Sequence, residues 1–136
     1  MTLCDTGPLV ALIDRDDLHH QRCVDTLAAL PPIPLITTWP CLTEAMHLLD
    51  RAGGQPTQDE LWGFLADGLL RLYLPAADEW QRLRQFMNEY ADMPLDMADA
   101  SLASAAEHLG ERMLFSLDQP LRAVILANGD TFDIRP

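Results

Sequence analysis

A short apolar run that ends in a carboxylate and passes at once into a helix start constrains this chain more than any other stretch: MTLCDTGPLVALID, residues 1–14. Met1–Cys4 is too short and too apolar for anything but a buried strand, and Thr6, Gly7 and Pro8 are turn and helix-start residues. Asp5 therefore falls at the carboxyl end of a strand. In an open parallel α/β sheet that edge is where ligands bind.

The rest of the chain repeats the alternation. Pro8–Asp14 reads as a short helix, and Cys23, Leu27 and Leu30 mark a second helical stripe that ends at Pro31, Pro32 and Pro34. Leu35–Thr38 is β-prone, and Trp39–Leu49 is a third helix packing through Leu42, Ala45, Met46 and Leu49. Arg51–Pro56 reads as a Gly-rich turn. Thr57 with Glu60 suggests a capping box for a helix packed through Leu61, Phe64 and Leu65 and closed by Gly68. Leu69–Leu74 is a strand, and Pro75 opens a longer helix whose periodic face, Trp80, Leu83, Met87 and Tyr90, is expected to be core. After a loop broken by Pro94, an alanine-rich helix spans Met97–Leu109 and stops at Gly110. MLFS within Arg112–Leu117 is the next strand, also followed by a carboxylate, Asp118. Pro120–Leu126 is a short helix or turn, Asn128-Gly129-Asp130 a tight turn, and Thr131–Ile134 an edge strand. The pattern predicts one domain over residues 1–136, with a parallel sheet covered on both sides.

A chain of 136 residues can bury roughly two-thirds of its surface without staples. Cys4, Cys23 and Cys41 lack paired spacing and read as core thiols of a reducing compartment. With no apolar run near about 18 residues and no charged leader, a cytoplasmic protein without a membrane span is expected. The charge is less accommodating, since 21 acidic residues face 9 basic ones, all arginine. A sequence-blind nucleic-acid binder carries a basic footprint that this chain lacks. The function must then avoid polyanions, bind them through metal ions and a few arginines, or depend on a partner.

Four carboxylates occupy special places: Asp5 and Asp118 after strands, Glu44 in a post-strand helix, and Asp99 in the first turn of the alanine-rich helix. Asp96 precedes Asp99 by three residues and can cap that helix. Like charges gathered at one rim repel, and divalent cations remove the objection. All four offer hard oxygen ligands, with Thr6 and Ser116 as accessory hydroxyls, a set suited to Mg2+ or Mn2+ and not to zinc. His19 and His20 are adjacent but precede a surface helix, His47 and His108 are isolated, and the cysteines have no adjacent base. Asp5-Thr6-Gly7 is similar to the triplet of retroviral-type aspartic proteases, but here it starts a helix in an α/β chain.

The stretches DTGPLVALIDRDD, Glu44 in its helix, ADMPLDMADASLASAAEHLG and LFSLD together resemble the PIN-domain family, and within it the VapC-like ribonuclease toxins of toxin–antitoxin pairs. The resemblance spans nearly the whole chain. It implies a three-layer α/β/α fold with four or five mostly parallel strands, and metal-binding or catalytic acids at Asp5, Glu44, Asp99 and Asp118. Thr6, Ser116 and Asp96 match accessory positions. It further implies Mg2+- or Mn2+-dependent endoribonuclease cleavage leaving a 5′-phosphate and a 3′-hydroxyl, a homodimer, and inhibition by a small antitoxin. The chain departs from many relatives after the last acid, where Gln119, Pro120 and Leu121 precede Arg122 and weaken the expected basic contact to RNA. Arg15, Arg51, Arg82, Arg84 and Arg122 remain as phosphate-contact candidates. The charge and this departure motivate an alternative, a catalytically weak module that binds or regulates another protein.

Overall fold

The computed structural model describes residues 1–136. Five short strands, β1 (Thr2–Cys4), β2 (Leu35–Thr37), β3 (Leu70–Leu72), β4 (Met113–Phe115) and β5 (Asp133–Arg135), form one sheet in the order β3-β2-β1-β4-β5. Every pairing is parallel. Six helices cover it: α1 (Thr6–Ile13), α2 (His20–Ala29), α3 (Trp39–Gly53), α4 (Gln55–Ala66), α5 (Trp80–Glu89) and α6 (Met97–Leu109). The three-layer α/β/α expectation therefore holds, with five strands and no antiparallel member.

Alternation along the strands sorts the core into two layers, because successive strand side chains point to opposite faces. Leu3, Ile36 and Leu114 pack with Phe86 of α5 and the alanines of α6. Their neighbours Cys4, Leu35 and Phe115 pack on the other face with Leu9 of α1, Leu42 and Leu49 of α3 and Leu61 of α4. Residues 98–106 of α6 are all buried, which the small Ala and Ser side chains permit by letting the helix lie close to the sheet. The three thiols are free and buried. Burial pushes Cys23 up to about 11 and, helped by the nearby Asp5 charge, Cys41 up to about 12.

Several local expectations are corrected. No Gly-rich turn separates α3 from α4; Gly54 alone, at φ 72°, turns the chain, and an L side chain there is strained. The Thr57–Glu60 capping box is absent, because α4 starts at Gln55 and the Thr57 hydroxyl lies 2.7 Å from the carbonyls of Leu49 and Gly54, serving the α3–α4 junction instead. The helix expected from Pro75 starts at Trp80. Its inner face is Leu83, Phe86 and Tyr90, while Trp80 is 59% and Met87 39% exposed. The later start shifts which positions meet the core. Thr131 makes only an isolated antiparallel bridge to Ile125, and the edge strand begins at Asp133. No helix is long and apolar enough to cross a membrane.

Phe86 is fully buried between α5, α6 and the sheet. Phe86→Ala is expected to cost about 3–5 kcal/mol in urea unfolding, whereas Trp80→Ala changes stability by less than about 1 kcal/mol because the ring is largely solvated.

Candidate metal centre

The strand order places the site. From β1 the chain adds β2 and β3 on one side, then crosses back to put β4 on the other, so β1 and β4 diverge at a topological switch point. The residues that follow these two strands meet at their carboxyl ends. Asp5 follows β1 and is the N-cap of α1, its Oδ1 accepting from Thr6 N at 2.7 Å. Ser116 follows β4, and its hydroxyl donates to Asp5 Oδ2 at 2.7 Å while accepting from Asp118 N at 3.0 Å. One serine thus fixes both the Asp5 carboxylate and the turn that carries Asp118.

Asp99 arrives from the opposite direction. Asp96 caps α6 by accepting from Asp99 N at 2.9 Å, and Asp99 Oδ2 accepts in return from Asp96 N at 3.3 Å. This is the chain's capping box. It leaves Asp99 buried at the cleft. Asp5, Asp99 and Asp118 each present a carboxylate oxygen, and the three lie within 4.8 Å of one another.

Glu44 stands apart from this trio. It is exposed on the second turn of α3 and receives the Thr6 hydroxyl on Oε2 at 3.4 Å. It nevertheless lines the same cleft of about 270 Å³, with Asp5, Thr6, Asp96, Asp99 and Asp118. The expected acids and the accessory residues Thr6, Asp96 and Ser116 are thus brought together, with three acids at the centre and Glu44 at the rim.

The electrostatics are unfavourable for bare carboxylates. None of the chain's four ion pairs reaches the trio. Burial raises Asp5 above the ordinary carboxylate range, and Asp118 and Glu44 add to the rise against the hydrogen bonds from Ser116 and Thr6. Burial, then the charges of Asp96, Asp118 and Asp5, pushes Asp99 up to about 8. A hard cation cancels this repulsion, and an all-oxygen donor set of this spacing suits Mg2+ or Mn2+.

Beyond Asp118, Arg22 and Arg122 line a small hollow that shares Asp118 and Leu117 with the acidic cleft. Arg22, from α2, is not one of the phosphate-contact candidates in the sequence, since its helix gives no hint that it approaches Asp118. Arg82 drops from that set because Glu107 holds its guanidinium at 2.7 and 2.8 Å. On the other side of the centre, Glu44 and Asp96 also border a larger cleft of about 780 Å³ between the start of α3, the β3–α5 connection and the start of α6. Nothing in the sequence pattern marked it.

A parallel α/β sheet with a carboxylate cluster at its switch point defines a class of proteins that act on ligands at that edge. The PIN-domain family matches residues 2–125, and the chain belongs to that family. It is similar in fold to a solved structure of Mycobacterium tuberculosis VapC20, a sarcin–ricin-loop-cleaving toxin, at TM-score 0.83 and 18% identity over 100% of both chains. No curated protein sequence matches it.

Proposed function

We propose that the protein is an endoribonuclease dependent on Mg2+ or Mn2+, and the toxin of a toxin–antitoxin pair. The observation that carries this reading is the convergence of Asp5, Asp99 and Asp118 within 4.8 Å with none of them in an ion pair. Membership of the PIN family and the fold shared with an RNA-cleaving toxin support it.

In this reading Asp5, Asp99 and Asp118 hold the metal and Glu44 completes the rim. Bound there, the cation supplies charge neutralisation and an acidified water for hydrolysis of an RNA phosphodiester. Ser116 fixes the Asp5 carboxylate through Oδ2, and Thr6 steadies Glu44. Arg22 and Arg122 meet the substrate backbone beside Asp118. A small antitoxin and a homodimeric state belong to the same proposal, drawn from the likeness to VapC toxins.

The test is cleavage of defined tRNA, rRNA and messenger RNA substrates by protein purified free of antitoxin. Cleavage with Mg2+ or Mn2+, abolished by chelator, is the expected result; cleavage unaffected by chelator contradicts the metal role. Ser116→Ala, which leaves Asp5 Oδ2 without its donor, is expected to weaken Mn2+ binding about tenfold with the far-ultraviolet circular dichroism unchanged.

A further inference from the structure

Asp5, Glu44 and Asp99 sit near the starts of three different helices, α1, α3 and α6, and a buried run of hydroxyls ties the last two starts together. Thr38 is the N-cap of α3. Its Oγ1 accepts from Cys41 N at 3.4 Å and lies 2.6 Å from Ser101 Oγ of α6. Ser101 Oγ lies 2.6 Å from the carbonyl oxygen of Ala98, the residue before Asp99. All four residues of the run are buried. Each hydroxyl has one proton to donate and the carbonyl only accepts, so the order is fixed: Cys41 N–H donates to Thr38, Thr38 to Ser101, and Ser101 to Ala98. Every proton in the run is used.

The run reaches the acids through its two ends. Cys41 Sγ lies 3.8 Å from Asp5 Oδ1 and 3.8 Å from Ala98 O, and the Cys41 carbonyl accepts from the Thr6 hydroxyl at 3.2 Å. Glu44 follows Cys41 by three residues, so it lies on the same side of α3 about one turn on. At the other end, Ala98 adjoins Asp99 inside the capped first turn of α6. The Thr38–Ser101 and Cys41–Ala98 contacts are the hydrogen bonds that cross from the start of α3 to α6. Burial alone does not account for them. Ser104, one turn further along α6 and fully buried, has a hydroxyl with no partner, a cost this helix bears. The Ser101 bond therefore belongs to the junction with α3 and not to buried serines of α6 in general.

We infer that Thr38 and Ser101 are positioning residues of the metal centre: by holding the start of α3 against the start of α6, the pair sets the separation of Glu44 from Asp99. This role rests on the metal-dependent reading of the acids. Neither hydroxyl is a ligand, and each acts through the backbone that carries one. Hydrogen bonds of 2.6 Å are short and directional, so they define that separation more narrowly than the apolar contacts around them. Groups behind the ligands count in metal binding, because a hard cation takes its oxygens at set distances.

Calorimetric titration of the folded, metal-free full-length protein with Mn2+ tests it. Thr38→Val and Ser101→Ala each break the run at one hydroxyl and are expected to weaken Mn2+ binding about tenfold. The double variant is expected to be no weaker than either single one, because the two hydroxyls act as a unit. Thr38→Ser keeps both the cap and the hydroxyl and is expected to restore binding to within about twofold. Ser104→Ala removes a hydroxyl without a partner from the same helix and is expected to leave Mn2+ affinity unchanged. Ser101→Ala, a small change in a helix already rich in alanine, carries the test if Thr38→Val does not fold. In steady-state cleavage the two run-breaking variants are expected to lower kcat and leave KM for RNA unchanged. A pair that only stabilises the fold leaves both kcat and the Mn2+ affinity of the folded protein at the values of the unmodified chain. Equal Mn2+ affinity in all these proteins, or a loss in Thr38→Val that Thr38→Ser does not restore, overturns the positioning role and leaves the metal centre. Absence of Mn2+ binding by the unmodified protein overturns both.

Discussion

Asp5→Asn and Asp99→Asn are each expected to lower metal-dependent RNA cleavage by at least about 100-fold, because even residues that only orient a metal ligand cost 10–100-fold. The same substitutions are expected to raise the stability of the metal-free protein. Asp5 and Asp99 are buried among like charges with no ion pair, and both carboxyls are raised by that burial. Asparagine retains a side-chain oxygen to accept from Thr6 N at position 5 or from Asp96 N at position 99. It removes the charge that lacks compensation. Opposite movements of activity and apo-protein melting temperature distinguish a ligand set held against its own repulsion from residues that merely stabilise the fold. Reduced stability in both variants would count against the assignment.

The second large effect is a pH dependence of stability that metal removes. Asp99 is pushed up to about 8 in the folded protein, chiefly by burial, against about 3.9 in the unfolded chain. Between those values the folded state binds more protons than the unfolded state, so unfolding free energy falls as pH rises. The stability associated with protonated Asp99 is complete below about pH 4 and is lost as pH passes through about 8; the raised Asp5 acts in the same direction. Urea unfolding in chelator should therefore show a decline from about pH 5 to pH 8, above the range in which ordinary carboxylates titrate. Metal at about 100 times its Kd adds about 2.7 kcal/mol and should flatten the decline, since the ligands are then ionised at both ends of the range.

What the sequence makes legible here follows from how local the signal is. Asp5 and Asp118 each follow a short apolar run directly, so a strand end and its carboxylate can be read together, and the sheet delivers both to one edge. The alanine-rich helix with Asp96 and Asp99 at its start is equally local, and its capping geometry orients Asp99. Glu44 is harder. Helical spacing puts it near the start of α3, but its place at the rim depends on how α3 packs across α1.

The larger cleft has no local signature because it is assembled from residues as distant as Trp39, Glu79 and Met97. Glu79, one of its lining residues, lies in the turn before α5, the segment that reads as helix when Pro75 is taken as the start. That same shift places Trp80 wrongly in the core and passes over Phe86. The arginines show the same limit. Glu107 claims Arg82 across 25 positions of sequence, and Arg22 reaches the Asp118 side from a helix whose pattern predicts only packing.

Calorimetric titration of the chelator-stripped protein with Mn2+ at pH 7 decides whether Asp5, Asp99 and Asp118 form a divalent-metal site. Because Asp99 is raised to about 8, binding should release protons, and the measured heat should change with the ionisation enthalpy of the buffer. Saturable binding with this buffer dependence, lost in Asp99→Asn, is the predicted result. Absence of Mn2+ binding, or binding of equal affinity and equal proton release in Asp99→Asn, would contradict it.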